Sequence, residues 1–229
     1  MKNCAALSAR QFRQFNKVFR GAIFDQDGLL FDTEAVFEVC WIKAGEEMGL
    51  PVTPELTRSL SGFGKRELEE AIAIAFPGAD AARLVERAHS LAAEAQLSSI
   101  PVVKPGVREI LSFCRENSIR TAVASSSMRH LVEHNLFATG LSDFFDAIVT
   151  GRDVLKGKPA PDIFLLAAQK IELEPSSCIV FEDAFSGIRA AHAAGCCPVL
   201  IPDRRMPDEE ILKICKTRSP SLSNRNDTR

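Results

Sequence analysis

No apolar run in this 229-residue chain approaches the ~20 residues that a membrane-spanning helix needs, so no span of that kind is expected. No excess of charge of one sign exists either. The 28 Lys and Arg stand against 30 Asp and Glu, a formal net charge of -2. That balance gives no global reason to expect nucleic acid or an anionic membrane as partner, yet it leaves room for a local basic pocket that takes a small anion. The cysteines lack any zinc-binding spacing. There are seven, Cys4, Cys40, Cys114, Cys178, Cys196, Cys197 and Cys215, and most sit in apolar runs where cysteine acts as a small hydrophobe. Free thiols in a reducing compartment, the cytoplasm, are expected. The first twenty residues carry Lys2, Arg10, Arg13, Lys17 and Arg20 and no acid, but lack a signal peptide's apolar centre and cleavage site. Residues 1–19 read as a flexible extension, and 217–229, rich in Ser, Asn and Arg, as a disordered tail. No internal repeat is visible.

A hydrophobic fraction of 46% is ample for a buried core, in one large domain or a core with a smaller insert. Short apolar runs read as buried parallel strands: residues 21–24, 121–124, 147–149, 178–181 and 198–201. Helical patterns fall between the later ones, over 107–117, 163–170 and 187–194. Strand and helix in alternation imply an α/β fold built on a parallel sheet. One interval breaks the alternation. From Glu34 to Ser99 only helical patterning appears: Glu34 to a C-capping Gly49, Lys65 to Phe76 before Pro77-Gly78, and a stretch N-capped by Asp80 that runs to Gln96. This reads as an all-helical cap inserted after the first strand, 34–99, leaving 20–33 and 100–216 as the core.

In an open parallel sheet, ligands bind beyond the carboxyl ends of the strands. The first strand ends in Asp25 and Asp27, the second in Ser125-Ser126-Ser127, and the fourth in Glu182-Asp183; Gly157-Lys158-Pro159 follows the third. These would converge on one crevice. Asp25 and Asp183 offer hard oxygen ligands suited to Mg²⁺, which uses one or two carboxylates and keeps phosphate oxygens and waters. Without a cation, clustered carboxylates repel a phosphate; Mg²⁺ and Lys158 invert that field. Residues two apart on an extended chain project the same way, so Asp25 and Asp27 can both address the site, and Gly28 permits the turn after them. Each motif alone has a bland alternative, a turn or a helix start. Their order and placement at strand ends make a phosphoryl-transfer site the better reading.

The chain resembles the haloacid dehalogenase superfamily, in the subgroup of sugar-phosphate phosphatases and β-phosphoglucomutase-like enzymes, from about Arg20 to Asp208. The motifs are Phe24-Asp25-Gln26-Asp27-Gly28-Leu29-Leu30-Phe31-Asp32-Thr33-Glu34, Val123-Ala124-Ser125-Ser126-Ser127, Gly157-Lys158-Pro159-Ala160-Pro161-Asp162 and Phe181-Glu182-Asp183-Ala184-Phe185-Ser186-Gly187. The resemblance implies a Rossmann-like core flanked by helices and a helical cap that closes over the substrate. It implies that Asp25 attacks phosphorus to form an aspartyl-phosphate, and that Asp27 protonates the leaving group and then activates water. Ser125, the Ser126 amide and Lys158 would hold the phosphoryl group. Asp25, the Asp27 carbonyl, Glu182 and Asp183 would hold Mg²⁺. Gln26 stands where the family more often has an apolar residue, and is expected to point away from the site.

The cap's substrate loop is expected around Gly62-Phe63-Gly64-Lys65-Arg66, with Lys65 or Arg66 available to a second anion; the alternative is a pair of solvated helix-start charges. His130 and His134 have metal-binding spacing but no third ligand, and read as surface residues. The expected activity is hydrolysis of a small phosphorylated metabolite, a sugar phosphate, by a monomer. The rival is a β-phosphoglucomutase-type isomerase. The mutases of the group carry a cap His near the position of Phe37 and an Arg near that of Lys65, and both departures favour the phosphatase. A non-catalytic phosphate-binding protein and a dehalogenase fit the intact aspartates less well.

Overall fold

The computed structural model describes residues 19–202, 207, 209–215 and 217–218. The sheet order is β3-β2-β1-β4-β5-β6, from strands β1 (Gly21–Phe24), β2 (Arg120–Ser125), β3 (Ala147–Thr150), β4 (Cys178–Glu182), β5 (Cys197–Leu200) and β6 (Thr217–Arg218). Every pairing is parallel. Parallel strands are joined by crossovers that cover both faces, which explains why the strands read as unbroken apolar runs. Along β1, Ala22 and Phe24 face one buried cluster while Ile23 faces the other. The first cluster is closed by α5 (Val107–Glu116), through Ile110 and Leu111, and by α6 (Arg129–Ala138), through Val132 and Leu136. The second is closed by α7 (Asp162–Lys170) and α8 (Phe185–Ala193), through Ile163, Phe164, Ala167 and Ala190. Phe24 stacks on Phe181 with ring centroids 5.0 Å apart. Each such fully buried side chain contributes about 1.5–3 kcal/mol of hydrophobic free energy.

The first four helices after β1 have a core of their own. They are α1 (Glu34–Glu47), α2 (Pro54–Leu60), α3 (Lys65–Ala75) and α4 (Ala81–Leu97). Trp41, Ala44, Leu60, Leu68, Ile72, Leu84 and Leu91 pack together there, apart from both clusters on the sheet. Two boundaries follow the capping logic of the sequence. Gly49 takes a left-handed φ of 69° just past α1, and Asp80 Oδ1 accepts from the Arg83 amide at 3.0 Å. Helix α2 has a Thr53 cap and Pro54 in its first turn, a start signal that the pattern reading passed over.

Strand β6 corrects one expectation. Thr217 and Arg218, assigned to a disordered tail, pair with Val199 and Leu200. The exposed backbone edge of β5 accepts a partner strand through main-chain groups, so a polar composition does not forbid it. The rest of that tail, 219–229, and the extension 1–18 lie outside the described residues. Among the described residues no helix is long and apolar enough to cross a membrane. Cys40, Cys114, Cys178, Cys196 and Cys197 are buried free thiols.

Candidate active site

Strand β1 is central, hydrogen-bonded to β2 on one side and β4 on the other. Its partners diverge from there, so the crevice at its carboxyl end is the place where an α/β sheet binds ligands. In register, Phe24 lies between Val123 and Phe181, which sets Asp25 beside the ends of both neighbours. The Asp25 amide bonds the Phe181 carbonyl at 3.1 Å. Lys158 arrives from the loop after β3. Its Nζ donates to Asp25 Oδ1 at 2.5 Å, to Glu182 Oε1 at 2.6 Å and to the Ala124 carbonyl at 3.0 Å. The three side chains are all but sealed, at 5% exposure for Lys158, 10% for Asp25 and 0% for Glu182.

Burial alone would lower the Lys158 pKa, but Asp25 and Glu182 outweigh it and hold the ammonium above the ordinary lysine range. Burial pushes Glu182 up, opposed by Lys158 and reinforced by Asp25. A pair buried this way is costly to break, because the survivor is left charged and unmatched. Glycine makes the approach possible at two points. A Cβ on Gly28, whose φ is 78°, would collide with the Asp183 carboxylate, and one on Gly187 would collide with that of Glu182.

Among the described residues, one group of side chains could hold a metal ion: Asp25, Glu182 and Asp183, whose ligand atoms lie within 4.8 Å of one another. An all-oxygen carboxylate set of this kind fits a hard divalent cation such as Mg²⁺. The Asp27 carboxylate is not in that group; it belongs to a second set of contacts. Its Oδ2 accepts from Ser127 Oγ at 2.7 Å, Ser125 Oγ at 3.5 Å and Gln26 Nε2 at 3.3 Å. Burial and then the charge of Asp25 push the Asp27 pKa up; the Ser127 hydroxyl, then the Thr33 hydroxyl and the Gln26 amide, pull against them. The adjacent aspartates are thus in different environments, one paired with a cation, the other held by neutral donors. This is the arrangement by which two carboxylates take different roles.

The turn that carries Asp27 is rigid by construction. The amides of Leu29, Leu30 and Phe31 all point to the Gln26 carbonyl, and Lys104 Nζ donates to the Gly28 carbonyl at 2.7 Å. Ser125 is fully buried at the end of β2, while Ser126 is exposed beyond it. The cap reaches the crevice through Gly62 and Gly64. Ser186 Oγ meets the Gly62 carbonyl at 3.4 Å, and Gly64 lies against the Lys158 backbone. Lys65 begins α3 and stands 3.8 Å from Glu69, with 73% of its side chain exposed. Arg66 is 90% exposed and pairs with Glu70 at 2.7 Å. His134 Nε2 faces the Ser99 carbonyl at 3.4 Å.

Two residues next to Asp27 were missed by the motif reading. Ser127 is its closest donor; it ends the Ser125-Ser126-Ser127 run, where the chain bends past β2 and ties the Ser127 amide to Ser125 Oγ, a fold-back that strand alternation does not announce. Gln26 was expected to point away, but the tight turn after Asp25 ends the strand alternation and brings its amide onto the Asp27 carboxylate.

Residues 19–195 match the family model described as haloacid dehalogenase-like hydrolase. A phosphorylated carbohydrates phosphatase of Thermotoga maritima is 33% identical over 76% of this chain and 80% of its own length. A fructose-1-phosphate phosphatase of Escherichia coli is 34% identical over 77% of this chain and 93% of its own. Among solved structures, a β-phosphoglucomutase of Clostridium difficile superposes with a TM-score of 0.71 at 26% identity, covering 90% of this chain and 92% of that one.

Proposed function

The chain belongs to the haloacid dehalogenase-like hydrolase family, and within it we propose that this protein hydrolyses a small phosphomonoester, a sugar phosphate, with the help of Mg²⁺. The observation that carries this reading is the buried Lys158 set between Asp25 and Glu182, with Asp183 alongside, at the carboxyl ends of β1 and β4. With a divalent cation added to Lys158, such a site would attract a phosphoryl group and hold a nucleophile against it. Asp25, Glu182 and Asp183, with the Asp27 carbonyl, would hold the metal, which when bound supplies positive charge to the phosphoryl oxygens. Lys158, Ser125 and the Ser126 amide orient those oxygens. An Asp25 oxygen bonds to phosphorus while the ester oxygen departs and takes a proton from Asp27. Water then gives its proton to Asp27 as its oxygen bonds to phosphorus, and the bond to Asp25 breaks to release phosphate. A proton donor must stay protonated at working pH, and the raised pKa of Asp27 suits that task.

The names of the relatives support a sugar phosphate as substrate, and one neighbour is named a mutase. Near the position where the mutases are expected to carry a cap histidine, Phe37 lies edge-on to the His89 ring, 6.3 Å between centroids. A phenyl ring cannot carry a proton to a sugar hydroxyl, which favours water as the final acceptor. A single chain supplies every group of the site, as a monomeric enzyme requires, and five buried free thiols suit the cytoplasm. Purified protein is expected to release inorganic phosphate from members of a sugar-phosphate panel with Mg²⁺, and to stop when EDTA is added. Activity undiminished by EDTA would sink the metal assignment. With β-glucose 1-phosphate and a trace of the bisphosphate, isomer formation exceeding phosphate release would turn the reading to the mutase.

A further inference from the structure

Gln26 lies between the two aspartates with none of its surface exposed. Its Nε2 donates to Asp27 Oδ2 at 3.3 Å. Its Oε1 is buried and has no hydrogen-bond partner among the described residues. A buried amide with an idle carbonyl costs stability, and an apolar side chain of the same size fills such a place without that cost. Packing therefore supplies no reason for a glutamine here. The contact with Asp27 does.

The geometry around that contact is a clamp. The root of Gln26 is fixed, because its carbonyl accepts the amides of Leu29, Leu30 and Phe31. From the bend just past the neighbouring strand β2, the Ser127 hydroxyl reaches the same Asp27 oxygen at 2.7 Å, and its own amide is tied to Ser125 Oγ at 3.0 Å. We propose that Gln26 is a positioning residue for proton transfer, which together with Ser127 pins one oxygen of Asp27 between the ends of β1 and β2 and so fixes where the other oxygen faces. The inference rests on Asp27 being the acid and base of the reaction above. When water attacks the phosphorylated Asp25, its proton must pass to Asp27 as the new P–O bond forms and the bond to Asp25 breaks. A carboxylate left to the serine and Thr33 hydroxyls turns more freely and meets that water less often.

Gln26→Met tests this, since it nearly keeps length and volume and removes the donor along with the idle carbonyl; Gln26→Leu serves as a second variant. Both are expected to melt at or above the wild-type temperature, with kcat lowered about tenfold and KM unchanged or lowered along with it, as slower breakdown of the phosphoenzyme requires. With p-nitrophenyl phosphate, whose leaving group needs little protonation, rapid mixing should show a larger burst of nitrophenol than wild type, because breakdown of the phosphoenzyme has become slower. The idea is overturned if kcat stays within about twofold of wild type, if only KM changes, or if lost activity tracks a lowered melting temperature. Asp27→Asn, assayed alongside, separates the two levels. Normal turnover there removes the acid/base role itself, whereas an inactive Asp27→Asn beside fully active Gln26 variants removes only Gln26.

Discussion

The site on the sheet and the helical cap above it are built on opposite plans. At the end of β1, charge is buried and matched: Lys158, Asp25 and Glu182 lie within 2.6 Å contacts and show 10% exposure or less. In the cap, the interior is apolar and charge sits outside in loose pairs, such as Lys65 with Glu69 at 73% and 33% exposure and Arg66 with Glu70 at 90% and 59%. Buried pairs are costly to disturb and therefore hold one geometry; exposed pairs contribute little and exchange freely with solvent. The difference separates labour. Under the function proposed above, the core would fix a chemistry common to many phosphate esters, and the cap would offer a surface that can change its specificity without unfolding. If that division holds, core substitutions should act on turnover and stability, and cap substitutions on KM.

The largest effect should come from Asp25→Asn. The amide keeps the shape but is no nucleophile, so kcat is expected to fall by about 10⁴-fold or more, with the fold intact by circular dichroism. Near-normal turnover would remove Asp25 as the attacking group. Lys158→Met comes next, and it probes stability as well as rate. It leaves Asp25 and Glu182 facing each other without a cation, which should cost about 3–5 kcal/mol in urea unfolding at neutral pH. The pH dependence has a definite sign. Burial and Asp25 already push Glu182 up, and Lys158 is what opposes them. In the variant the folded carboxyl binds its proton more tightly still than the unfolded one. The penalty relative to wild type is therefore smallest below the wild-type Glu182 value, itself raised to about 7, and grows as pH rises from there toward the variant's higher one. A penalty independent of pH would mean that Lys158 acts by packing, for instance against the Phe164 ring 5.1 Å away, and not as a counter-charge.

How much of this was legible in the sequence follows the same division. The strands of the core announce themselves, because burial on both faces forces unbroken apolar runs, and Asp25, Ser125 and Glu182 stand at their ends. The alternation argument carried as far as Asp25 and failed one residue later. Past it the chain turns through Gly28 at a φ of 78°, and the contact between Gln26 and Asp27 depends on that turn. Strand β6 was illegible for another reason: its pairing is backbone to backbone and leaves no mark on side-chain pattern. In the cap, periodicity revealed helices without revealing which face looks at the crevice, so Lys65 and Arg66 could not be told apart.

The smallest effect is the one that distinguishes those two. The charge of Lys65 reaches His89, whose pKa is lowered by burial and then by that ammonium, and the His89 ring stands edge-on to Phe37 and Trp41. Arg66 is occupied by Glu70 and turned to solvent. Lys65→Ala is accordingly expected to raise KM about tenfold with kcat nearly unchanged, as loss of binding shared by ground and transition states requires. Arg66→Ala should leave both constants within about twofold of wild type. The same lysine variant has a readout that needs no substrate. With one of the two causes removed, the His89 imidazole should titrate at a higher pH than in the wild type, though still below an ordinary histidine because burial remains. Proton NMR of the imidazole follows that shift directly. If His89 moves while KM does not, Lys65 lies near the cap's aromatic face but outside the path of the substrate. If Arg66 proves the residue that controls KM, the cap must turn on α3 when it binds, and the loose surface pair between Arg66 and Glu70 is what it releases.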